Sequence, residues 1–124
     1  MAEQSVRTLV VKLTCGEEAP ERANQAWTVA AAGIVVGADV TVWLTGEAVW
    51  FATSGRQPVL DLPYATPVGE LVDAVRSGGR VFVCTQCAAR RELTPADLIE
   101  GVAIAGAASF VEAVLAEGVQ ALVY

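Results

Sequence analysis

Five short runs of β-branched and apolar residues punctuate the chain, at 6–14, 39–46, 80–84, 102–106 and 119–124. Runs of this length and make-up read as strands buried on both faces. Between the first two, Ala23, Trp27, Ala30, Ala31 and Ile34 recur at helical spacing. Pro20 suits the first turn of that helix, Glu21 complements its dipole, and Gly37 is a natural stop. After the second strand, "EAVWFAT" predicts a short helix. Thr66 and Pro67 predict a cap and a first-turn proline for a helix over 68–79. The third strand leads into "AARREL", a short helix over 88–93, and Thr94, Pro95 and Asp97 approach a capping box. A last helix over 107–118 ends at Gly118. The segment 53–66 carries Pro58 and Pro63 and reads as loop.

This alternation predicts a single α/β domain over 1–124. The expected architecture is a three-layer α/β/α sandwich around a mostly parallel five-stranded sheet. In such sheets ligands sit outside the carboxyl ends of the strands, near a switch in strand order. Cys15 lies just past the first strand and Cys84 ends the third, so both belong to that edge.

Charge and composition narrow the chemistry. The net charge is −6 and the seven arginines form no stripe, which excludes a nucleic-acid partner. No apolar run is long enough for a bilayer, and the polar start of the chain is unlike a secretory signal. An odd count of three cysteines then predicts free thiols in the cytoplasm. With no histidine, Ser-His-Asp and Cys-His catalysis are excluded, as is any metal site needing imidazole. Three cysteines cannot complete a four-cysteine zinc site, so no metal and no cofactor is expected. "SGRQP" lacks the glycine-and-lysine pattern of a phosphate loop. The glycines of "GVAIAGAAS" read as structural.

The chemistry concentrates in "RVFVCTQCAARREL". A thiolate is the nucleophile, so the fold must stabilise an anion. Backbone N–H groups of a helix starting near residue 86 would point back at Cys84. Arg90 and Arg91 lie one helical turn after Cys87 and would favour a thiolate if they face it. Three uses compete: a reversible Cys84–Cys87 dithiol, half of a shared metal site, and one cysteine carrying sulfur as a persulfide. Against all three stands an inert arrangement of small core cysteines and solvated arginines. Cys15 is a possible auxiliary thiol that would resolve an oxidised Cys84, or else a half-buried loop residue. Glu17 and Glu18 either make that mouth acidic or are solvated.

Trp27, Trp43, Trp50 and Phe51 are core candidates. Trp50 and Phe51 are adjacent and cannot share one buried face, so one of them is a candidate for a subunit contact. The apolar excess of "VWLTGEAVWFA" also predicts a homo-oligomer. Arg56 either reaches a neighbouring site or is solvated.

The chain resembles the DsrE/DsrF-like family, which includes YchN-like proteins and the TusD-like sulfur-relay subunits. The resemblance runs nearly end to end. It rests on "PERA" opening an alanine-rich helix at 20–23, the block from Gly37 to Val49, and "VCTQCAARREL" followed by "DLIEGVAIAG". It implies an α/β/α sandwich, assembly as a homotrimer or homohexamer, and sulfur donor and acceptor proteins as partners. It implies that Cys84 is the sulfur-accepting position, Cys87 the second cysteine of YchN-like members, and Arg90 or Arg91 the arginine that follows. The chain departs from the pattern at Glu92, where members often have glycine. The function expected is a persulfide carrier or sulfurtransferase. The alternatives are an oligomeric accessory protein and a dithiol redox protein.

Overall fold

The first apolar run becomes β1 (Thr8–Leu13), and its backbone partners on either side are the second and fifth runs. The computed structural model describes residues 6–124; the polar stretch at 1–5 lies outside the described residues. The chain continues through α1 (Pro20–Val35), β2 (Asp39–Leu44), a 3-10 helix (Gly46–Ala52) and α2 (Val68–Gly78). It closes with β3 (Arg80–Cys84), α3 (Thr85–Arg90), a short 3-10 turn (Pro95–Asp97), β4 (Ala103–Ala105), α4 (Ala107–Leu115) and β5 (Val119–Val123).

The five strands form one sheet in the order β4-β3-β2-β1-β5, and every pairing is parallel. Helices flank it. Right-handed crossovers carry the chain from β1 through β2 and β3 to β4 in one direction, which places α1, α2 and α3 on one face. The return from β4 to β5 runs the other way and places α4 on the opposite face. Connections leaving β3 and β4 therefore diverge to opposite faces. The crevice between their carboxyl ends is the switch point where such sheets bind ligands.

The two faces are packed unequally. On the first, Val11, Leu13, Val40, Val42, Leu44, Val81 and Val83 meet Ala23, Trp27, Ala30, Val72 and Val75 in a closed core. Gly33 lets α1 approach: a Cβ there would come within 2.9 Å of Val40 Cγ2 and 3.1 Å of Leu9 Cδ2. On the second face, Trp43 stacks on Phe82 at 4.6 Å between centroids and meets the edge of Phe110 from α4 at 5.5 Å. No residue of α4 is fully buried, and Val111, Leu115 and the β5 residue Val123 stand exposed on this face.

Three sequence expectations shift. Pro67 occupies the capping position rather than the first turn, because its ψ of 133° is extended and the helix starts at Val68. The helix expected at 88–93 begins at Thr85 and stops at Arg90, since Glu92 adopts a left-handed φ of 55°. At Thr94 the box forms, with Asp97 accepting the Thr94 N–H at 2.8 Å, but it closes only a three-residue turn. Among the described residues no helix is long and apolar enough to cross a membrane.

Candidate functional site

Strand β3 delivers Cys84 to the carboxyl edge, and the chain turns at once into α3. Cys84 keeps extended angles (φ −60°, ψ 129°) and occupies the capping position, so the thiol stands where the first helical N–H groups are free of intrahelical partners. The far end of α3 is closed by a Schellman motif. Leu93 N–H reaches Ala88 O at 2.9 Å and Glu92 N–H reaches Ala89 O at 3.1 Å, with Leu93 and Ala88 both buried. That motif needs a left-handed residue at position 92, a conformation glycine adopts without strain. Glu92 accepts the conformation, and its exposed carboxylate is not among the groups acting on Cys84.

The C-x-x-C spacing separates the two thiols by environment. Three residues into the helix, Cys87 points inward and is buried, while Cys84 is half-buried. The Gly46 N–H donates to Cys87 Sγ at 3.2 Å, tying α3 to the start of the 3-10 helix. Burial is the largest single influence on Cys84 and pushes its pKa up. It is outweighed by the combined effect of hydrogen bonds from the Cys87 N–H and thiol, the Gln86 N–H and the nearby Arg90 charge. The net result is a thiol below its ordinary range. As a neutral thiol Cys84 makes no capping hydrogen bond of full geometry; these N–H groups serve its anion.

Cys15 keeps different company. It is buried, with Sγ 4.0 Å from Ala19 O. Burial first, and the Glu18 charge second, push its thiol up, against a weaker opposing effect of Arg22. It shares the carboxyl edge with Cys84, but strand β2 lies between their strands.

The two arginines divide. Arg90 is exposed, bonds Gln86 Oε1 at 3.3 Å, and is the one whose charge favours the Cys84 thiolate. Arg91 turns the other way. Its Nε donates to Glu47 Oε2 at 2.9 Å and its guanidinium to Cys87 O at 3.1 Å. Glu47 also accepts the Trp50 indole N–H at 3.1 Å. These bonds, Arg91 first, hold Glu47 below the usual carboxylate range. Arg91 is thus a clip that keeps Gly46 against Cys87.

The Cys84 thiol opens onto a cavity of about 80 Å³ at the switch point, lined by Lys12, Trp43, Thr45, Gly106 and Phe110 among others. Patterning alone did not single out Lys12, Thr45 or Phe110. The one available signal was Lys12 itself, the chain's only lysine, set inside an apolar strand. Larger open clefts run along residues 57–69 and hold no thiol. Arg56 covers the Trp50 ring at 4.7 Å, and Phe51 is buried edge-on to Trp27 at 5.8 Å. Among the described residues no three Cys, Asp or Glu side chains converge as a metal site would require.

Comparison with known proteins agrees with this architecture. The model of the DsrE/DsrF-like family matches residues 9–123. The fold is similar to the crystal structure of the ychN protein from E. coli, with a TM-score of 0.80 and 17% identity, covering 96% of this chain and 100% of that one. It is also similar to MTH1491 from Methanobacterium thermoautotrophicum, a protein of unknown function. There the TM-score is 0.63 at 15% identity, over 97% of this chain and 100% of the other. No curated protein matches by sequence.

Proposed function

The chain belongs to the DsrE/DsrF-like family, and on that footing we propose that it carries sulfur as a persulfide on Cys84. The observation that supports this reading is the sorting of the three thiols. Cys84 alone is half-exposed, at the switch-point crevice and beside groups that favour its anion, while Cys15 and Cys87 are buried. The thiolate attacks the outer sulfur of a donor persulfide; the new S–S bond forms on Cys84 as the donor's breaks, and the donor sulfur takes the proton and leaves as a thiol. An acceptor thiolate repeats the attack and releases Cys84. Cys87 assists by donating its thiol hydrogen to Cys84 while its own sulfur accepts from Gly46. Arg90 adds positive charge. Cys15 takes no part in the step.

Donor and acceptor are thiol proteins, and the reaction needs a reducing compartment such as the cytoplasm, where three free cysteines persist. Copies of the chain assemble as a trimer or hexamer over the exposed apolar side chains of α4 and the open edge of β5.

The test is mass spectrometry of the full chain after incubation with a cysteine desulfurase and cysteine. The expected result is one sulfur atom on the Cys84 peptide, absent in Cys84→Ser and retained in Cys15→Ser. No adduct on any cysteine would sink the reading. Loss of two hydrogens, with Cys84 joined to Cys87, would replace it with dithiol redox chemistry.

A further inference from the structure

Lys12 is an unusual residue for its position. Its strand otherwise faces apolar neighbours, yet its ammonium lies 5.0 Å from the Phe110 ring centroid, held by the π face. Among the described residues no carboxylate lies within ion-pair distance of it. The positive charge is therefore uncompensated, and it lines the same cavity as Cys84. The walls are rigid: Trp43 is buried and fixed between Phe82 and Phe110. Its indole Nε1–H is buried and has no hydrogen-bond acceptor. Across the cavity, Gly106 brings backbone, not side chain, to the wall.

The cavity's size limits its contents. At about 80 Å³ it is far below the roughly 300 Å³ at which small-molecule sites begin. It has room for one large atom with little water. An apolar lining with one cation suits a soft, weakly hydrated anion rather than a strongly hydrated one.

We propose that this cavity is a subsite for the outer sulfur of a Cys84 persulfide, with Lys12 as its counter-ion. The inference rests on the sulfur-carrying reading and specifies its substrate: sulfane sulfur, accepted one atom at a time, with no small organic co-substrate inside the site. Cys84–S⁻ and R–S–SH become Cys84–S–S⁻ and R–SH. One S–S bond forms and one breaks, the proton ends on the donor thiol, and no electrons are gained or lost overall. Lys12 touches the transferred atom and holds its charge until an acceptor arrives.

Two measurements on the full chain decide this. The first compares alkylation of Cys84 by iodoacetate, an anion, and by iodoacetamide, its neutral analogue. Lys12→Gln is expected to lower the iodoacetate-to-iodoacetamide rate ratio by roughly three- to tenfold, and Lys12→Arg to keep it. The second loads the protein with sodium tetrasulfide and follows the Cys84 persulfide by mass. Its lifetime is expected to shorten by a similar factor in Lys12→Gln. Should both variants unfold, the wild type still answers: iodide is expected to slow Cys84 alkylation more than equal chloride, and equal slowing would overturn the subsite. If the wild type loads sulfur but Lys12→Gln matches it in ratio and lifetime, the subsite is wrong and the carrier stands. If the wild type takes no sulfur on Cys84, the carrier reading fails, and with it the sulfur subsite, even where the ratio shift shows an anion site.

Discussion

The two faces of the sheet are made of similar residues and put to different use. Against α1 and α2, Val, Leu, Ala and Trp27 close into a core without exposed apolar atoms at its centre. Against α4, equally apolar residues leave Val111, Leu115 and Val123 in solvent and a cavity beside Cys84. Of the thiols, Cys15 and Cys87 pack within the closed core, while Cys84 opens toward the loose face. The lesson is that packing, more than residue type, separates the three thiols. A buried thiol near the core is small and inert; one at a strand end beside free N–H groups is an anion in waiting.

The strongest way to break the comparison is to cut into each face. Trp27→Ala, in the closed core, is expected to cost about 3–5 kcal/mol of stability in urea unfolding. Phe110→Ala, on the loose face, is expected to cost roughly 1–2 kcal/mol, since its ring is only half-buried. Equal losses would show that both faces are cores. Leu115→Glu is expected to change assembly and not folding. Light scattering should report smaller particles, with stability within about 0.5 kcal/mol of wild type; unchanged particle mass would remove α4 from the interface.

Smaller effects sharpen the division between the thiols. Cys87→Ala removes a hydrogen bond to the Cys84 anion, so Cys84 should alkylate about three- to tenfold more slowly at neutral pH. An unchanged rate would make Cys87 a mere filler. Glu92→Gly should stabilise the protein by about 0.5–1 kcal/mol by relieving the left-handed residue of the Schellman motif. A loss of stability there would mean that the Glu92 side chain supports the fold.

Much of this was legible in the chain, for reasons that are local. Apolar runs such as "RVFVC" mark strands wherever a parallel sheet buries them twice, and the alternation with helices fixes the fold class. The C-x-x-C placed Cys84 at a strand end on the carboxyl edge, where the structure has it. What sequence could not supply were relations across the sheet. Arg90 and Arg91 are adjacent on a helix and must diverge, but which one faces the thiol depends on Glu47, far back in the chain. Lys12 gains meaning only from Phe110, on an element that packs from the opposite face. Trp50 and Phe51 were correctly separable as a pair that cannot share a face. Which one is buried was set by Trp27.

The most direct measurement is the rate of iodoacetamide alkylation at each cysteine as a function of pH, resolved by peptide mass spectrometry. Thiolate fraction governs the rate, so a lowered pKa moves the rise in rate to lower pH and a raised one to higher pH. The account predicts that Cys84 reacts first, with its midpoint below the reference value of 9.0. It predicts that Cys15 lags, with its midpoint above 9.0. If Cys15 reacts first, or Cys84 rises no earlier than an ordinary thiol, then the switch-point crevice does not activate Cys84 and the account is contradicted.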